Sequence, residues 1–188
     1  KLGDDDHHLF PQILPGGEHV LFIAAKSTSI GADLVGRAEL LSLVTKERKE
    51  LGLGECEDVR YVNSGHVLYT RGNEVFATGW DTERLEVTGK GKRKRVLAGV
   101  KQTDYWRSRL AVSEEGTLIY EAGVNAGGDR SLVWVEATEE GNVEVERFTK
   151  RSGDWGGFAL SPDEKKVAIQ EDGDLYIIDQ VREGFDQF

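Results

Sequence analysis

Apolar residues recur along this chain in four copies of one pattern, each preceded by the same kind of turn. The copies are LPGGEHVLF at Leu14 to Phe22, VNSGHVLY at Val62 to Tyr69, VSEEGTLIY at Val112 to Tyr120 and LSPDEKKVAI at Leu160 to Ile169. With Val20, Val67, Leu118 and Val167 aligned, successive copies are 47, 51 and 49 residues apart. The clearest copy, Asp58 to Gly89, reads as a meander. Val62 enters a turn at Asn63-Ser64-Gly65, His66 to Tyr69 alternates into a second strand, Arg71-Gly72-Asn73 turns again, and Glu74 to Trp80 runs back. A meander repeated at about fifty residues is the spacing of β-propeller blades. The aligned strands end on Phe22, Tyr69, Tyr120 and Ile169, as suits a strand buried between neighbouring sheets.

The pattern predicts an all-β, propeller-like domain over 1–188, with about four blades of four antiparallel strands at roughly 8–54, 58–100, 105–150 and 155–188. In the first copy the strands fall at about Leu9–Leu14, His19–Ala25, Ala38–Val44 and Arg48–Leu53. In the second, the outer strand is drawn from Lys92 to Leu97. The third takes Ser108–Val112, Thr117–Ala122, Leu132–Ala137 and Val143–Thr149, and the fourth Gly157–Leu160, Lys166–Gln170, Leu175–Asp179 and a short remnant after Glu183. Composition alone would make Leu34 to Glu50 a helix of several turns. The repeat register overrides it, because LLSLV fills the slot that holds EVFATGW, SLVWVEA and DLYIID elsewhere. Gly17, Gly65 and Gly116 supply the left-handed residue of the first turn in three copies. The fourth has Pro162-Asp163-Glu164, so Glu164 or Lys165 must take that conformation at a cost of roughly 1 kcal/mol, or the loop must open.

Bulk numbers narrow the partners. A chain of 188 residues can bury roughly 70% of its unfolded surface without staples. The formal charge of -10 repels phosphate backbones and argues against nucleic acid. Cys56 is the single cysteine, so no intramolecular disulfide can form. No apolar run approaches the roughly 18 residues of a membrane span, and membrane insertion is not expected. Methionine is absent, which points to a processed chain or an excised piece.

FPQILPGGEHVLF, RYVNSGHVLYTRGNEVFATGWDTERLEVTG, AVSEEGTLIY and LSPDEKKVAI resemble the TolB-like, WD-repeat-like β-propellers of bacterial periplasmic proteins and of the sensor halves of some bacterial serine/threonine kinases. The resemblance implies a binding or sensing platform rather than a catalyst, and a periplasmic or extracytoplasmic location. The usual Pro-Asp-Gly turn is replaced by Pro15-Gly16-Gly17 and Pro162-Asp163-Glu164, and TolB-like propellers have more than four blades. The expectation is therefore an incomplete ring, completed by a second copy as a homo-oligomer or by the rest of a longer propeller.

No residue set identifies a reaction. Asp4-Asp5-Asp6-His7-His8 offers metal donors without a second spaced pair, and Asp172-Gly173-Asp174 lacks the other ligands of a calcium loop, so no metal and no cofactor is predicted. Cys56 sits among Glu55, Glu57 and Asp58, whose charge opposes a thiolate. Ser64-Gly65-His66 reads as a hairpin turn, and the carboxylates are too scattered to single out a glycosidase pair. KGKRKR at Lys90 to Arg95 is a run of a kind that can grip phosphates, but against the overall negative charge it reads as cationic protection of an outer strand edge.

Aromatic residues are better placed for binding. Tyr105, Trp106 and Arg107 precede the third copy and Asp154 and Trp155 the fourth, with His8 and Phe10 at the matching place in the first. In propellers these connections share one rim with the loops between the second and third strands, here Lys26–Arg37, Arg71–Asn73, Gly123–Arg130 and Asp172–Gly173. Aromatics and arginine on such a rim are anchor types for a protein, peptide or glycan ligand. The competing reading has Trp106 and Trp155 packing between sheets. The function predicted is a non-enzymatic binding module, with a hydrolase-associated propeller, lactonase- or glycosidase-like or a peptidase gating domain, as the alternative.

Overall fold

The computed structural model describes residues 7–26, 35–88, 93–102, 108–113, 117–122, 131–137, 143–148, 155–171, 173–179 and 184–187. Among them every regular element is a strand, arranged in four small antiparallel sheets of propeller-like type. The chain divides into two compact units, 1–98 with 102–108 and 99–101 with 109–188.

In the first unit, β1 (His7–Ile13), β2 (His19–Lys26), β3 (Val35–Ser42) and β4 (Arg48–Cys56) pair in sequence order. The stretch whose composition favours a helix is β3, a turn and β4. Its Ala38 and Leu40 fall on one face, which only a period of two delivers to the core. The second sheet follows as β5 (Val59–Val62), β6 (His66–Arg71) and β7 (Glu74–Asp81). Its outer position is shared by two strands rather than one. β8 (Glu86–Val87) pairs with the end of β7 at Trp80 and Asp81, and β9 (Lys94–Ala98) with its start at Glu74 to Ala77.

A sheet one residue thick cannot bury its own apolar face, so the two sheets cover each other. Leu21, Ile23, Ala38, Leu40, Leu51 and Leu53 from the first meet Val59, Val67, Tyr69 and Trp80 from the second. A polar contact fixes their register. The Gln12 side chain accepts from Tyr61 N–H at 2.7 Å and donates to Tyr61 C=O at 3.0 Å, standing in for a neighbouring strand at the edge of β5. A bulge between Leu9 and Gln12, with Phe10 at φ 53, aims it there. On the other face of the first sheet, Glu39 is buried between Arg37 at 2.8 Å and Arg48 at 2.6 Å, and Arg48 covers Phe22 at 5.4 Å from the ring centroid.

The second unit repeats the plan. β10 (Leu110–Val112), β11 (Leu118–Ala122), β12 (Ser131–Ala137) and β13 (Val143–Arg147) form one sheet, and β14 (Trp155–Leu160), β15 (Lys166–Glu171), β16 (Asp174–Asp179) and β17 (Gly184–Gln187) the other. Ile119 and Leu132 pack with Trp155, Val167, Ile169 and Ile178 between them.

Glu164 takes the left-handed conformation, at φ 60, and the reason lies across the sheet interface. Its carboxylate accepts the Ser113 hydroxyl and the Thr117 hydroxyl, the latter at 2.9 Å, so the strained residue ties the turn before β15 to the turn before β11. Asp163 supports the same turn. The Ser161 hydroxyl, donating at 2.6 Å, and then the Lys165 N–H hold the Asp163 carboxyl below its ordinary range. Hydrogen bonds to a charged acceptor outweigh the roughly 1 kcal/mol of backbone strain. Glu164→Gly is therefore expected to lose about 1–2 kcal/mol in denaturant unfolding, and Glu164→Ala about 1 kcal/mol more, because alanine keeps the strain and loses the bonds. A glycine variant more stable than the parent would show that the turn, not the carboxylate, decides.

Candidate functional site

Three connections of the first unit meet at one corner. Glu57 follows β4, Gly72 forms the turn between β6 and β7 at φ 55, and Gln102 lies beyond β9. Glu57 N–H donates to Thr70 C=O at 3.1 Å, which brings its carboxylate over the turn. One carboxylate oxygen accepts Gly72 N–H at 3.0 Å, and the other accepts the Gln102 side-chain amide. The same amide donates to Gly72 C=O at 2.7 Å. One amide nitrogen thus donates to both the Glu57 carboxylate and the Gly72 carbonyl and ties the two connections together. A backbone bridge from Gln102 to Ser108 then brackets the segment that carries Tyr105, Trp106 and Arg107.

Those three residues and Asp154 lie outside the described residues. Trp155 does not offer a surface: its side chain is fully buried with Ile119, Val167 and Ile169. That placement is a correction to its rim assignment, and its physical reason is that β14 starts at Trp155 and turns the indole into the core between two sheets. His8 and Phe10 are separated by the bulge in β1. His8 is exposed, edge-on to Phe22 at 5.2 Å with its Nε2 3.5 Å from Arg48, whereas Phe10 is half-buried against the core of the first unit. The rim assignment thus rests on the bracketed segment rather than on the whole set. Among the described residues, no three His, Cys, Asp or Glu side chains converge as a metal site requires.

The strongest buried charge lies elsewhere. Glu121, in the second unit, has no exposed surface and stands 3.4 Å from Lys101 Nζ and 3.2 Å from Arg109 Nη1. Arg109 also donates to the Trp155 carbonyl, so one guanidinium joins the two sheets. A carboxylate held between two cations is committed to structure, and removing either side of such a group is costly. The sequence carried one signal for it. LIYEA at Leu118 to Ala122 places a charge in a strand buried on both faces, where it needs a partner of opposite sign.

No protein-family model matches the chain, and no curated protein does. Solved structures are similar in fold. TolB from Acinetobacter baumannii matches with a TM-score of 0.61 at 13% identity, over 91% of this chain and 41% of that one. Porphyromonas gingivalis dipeptidyl peptidase 4 matches at 0.56 and 10%, over 100% and 33%. A luciferin-regenerating enzyme matches at 0.56 and 15%, over 100% and 61%. The chain thus spans from one third to three fifths of the length of these propeller-type neighbours. At such identities the likeness is one of fold, and it takes in a TolB and two enzymes alike.

Cys56 closes β4 with its thiol 2% exposed in the core of the first unit. Burial pushes its pKa from an ordinary 9.0 up to about 12. The thiol is therefore neutral at physiological pH, which removes it as a nucleophile. Because the unfolded chain releases this proton first, the native state loses stability as pH rises from about 9 towards 12. Tyr69 and Tyr120 are pushed up by burial too and act in the same sense. Between pH 8 and 10 the parent is expected to lose about 1.4 kcal/mol more than Cys56→Ala, in which the tyrosines are unchanged. Equal losses in urea titrations of the two proteins would contradict the buried, protonated thiol.

Proposed function

We propose that the chain is a non-enzymatic propeller-type binding module that takes a protein, peptide or glycan at the rim formed by the connections around Glu57, Gly72 and Gln102. The observation that carries the reading is the bracket from Gln102 to Ser108. It ties together Gln102 and Ser108, the two residues that flank Tyr105, Trp106 and Arg107 in the sequence, and Gln102 is itself bonded to the Gly72 turn. Holding the two ends of a short segment together leaves less conformational entropy to lose when it binds. The buried ion pairs of Glu39 and Glu121 and the neutral Cys56 thiol are structural by the arguments above and take no part in this reading. The TolB-like architecture supports a platform role, and the periplasmic setting of such proteins extends to this chain as part of the same proposal.

Fluorescent peptide and glycan libraries test it. For a ligand found this way, Trp106→Ala and Arg107→Ala are each expected to weaken binding by at least thirtyfold, about 2 kcal/mol, with melting temperatures within about 2 °C of the parent. Unchanged binding with a lowered melting temperature would assign both residues to packing and end the rim reading.

A further inference from the structure

A second feature of the first unit places two guanidiniums on one spot. Pairing of β3 with β4 leaves register between Arg37 and Glu39, and β4 bulges through Gly52 and Gly54, both left-handed at φ 66 and 74. Gly54 leaves no room for a side chain, because the guanidiniums approach its backbone closely: a Cβ there would stand 2.8 Å from Arg71 Nη2 and 3.8 Å from Arg93 Nη2. Arg71 ends β6 and Arg93 immediately precedes β9, so the second sheet brings both cations to the bulge of the first.

Neither cation is balanced by a carboxylate among the described residues, in contrast to Arg37, Arg48, Arg60, Arg95 and Arg109. Arg71 donates to the Leu53 carbonyl at 2.5 Å and lies 5.8 Å from the Tyr69 ring centroid. Its Nε–H is buried without an acceptor among the described residues, and so is the hydroxyl of Tyr69, which is only 1% exposed. Buried donors are ordinarily satisfied, and two like charges that converge without a counterion are ordinarily pushed apart. An oxyanion between them answers both conditions, since a guanidinium fork presents paired N–H donors that match two oxygens.

We propose that the bulge at Gly54 is an oxyanion site, in which a carboxylate or phosphate group is held between Arg71 and Arg93. The proposal goes beyond the rim reading and does not depend on it, because the probes are small anions and not a macromolecular ligand.

The test follows thermal melting of the full chain in sodium phosphate and in sodium acetate against sodium chloride of equal ionic strength, so that screening is common to all three. The expected result is a saturable rise in melting temperature with phosphate, acetate or both, the stronger of the two naming the preferred group. Arg93→Ala, at an exposed position, is expected to raise the dissociation constant at least tenfold. In chloride alone the same variant is expected to melt at or above the parent, because it removes a repulsion. Arg71→Lys, which keeps the charge without the fork, is expected to weaken binding while leaving the fold intact by circular dichroism. Equal melting in all three salts would overturn the site. So would an anion effect that survives Arg93→Ala, or a loss of stability in Arg93→Ala that is the same in every salt.

Discussion

Every sheet in this chain has an apolar face that it cannot bury alone. Backbone hydrogen bonds satisfy a strand sideways, but a layer of strands still leaves Leu21 and Ile23, or Val167 and Ile169, facing out unless another layer lies against them. Each unit solves this with a pair of sheets around a shared core, Tyr69 and Trp80 meeting the first sheet and Trp155 joining the two sheets of the second. The repeat of about fifty residues follows from that requirement, since it is the length of one sheet plus the connection to its partner.

Apolar contact between flat layers sets distance but fixes position weakly, and the polar contacts supply the rest. Gln12 reads the backbone of Tyr61, Gln102 reads that of Gly72, Arg109 holds the carbonyl of Trp155, and Glu164 takes two hydroxyls from the neighbouring turn. In each case a long side chain reaches across to groups on the next sheet or connection. Such contacts cost burial of polar atoms, and they are tolerable because their partners are supplied. The buried carboxylates Glu39 and Glu121 follow the same rule with two cations each.

What the sequence disclosed divides along this line. Strand positions were legible to within a few residues, and β3 with β4 show why: a period of two placing Ala38 and Leu40 together outweighs the helix preference of the same stretch. The need for strain at Glu164 was legible too, because no glycine occupies that turn. Its compensation was not, since Ser113 and Thr117 are about fifty residues away and nothing local announces them. The divided outer strand β8 and β9 was hidden for a similar reason, as pairing partners are chosen by the fold. Trp155 is a core residue although its place in the sequence suits a rim, whereas the joining of Glu57 with Gln102 and of Arg71 with Arg93 depends on turns and a bulge that no local pattern announces.

In each unit two meanders form sheets that bury one another's apolar faces, and the second strand of each sheet is paired on both edges. Peptide-level hydrogen exchange under native conditions tests it most directly. The slowest exchange is expected in β2, β6, β11 and β15, each paired on both edges, with faster exchange in the outer strands β4, β9, β13 and β17. A single continuous block of protection through Leu34 to Glu50, with no slow segments recurring at about fifty-residue intervals, would contradict it.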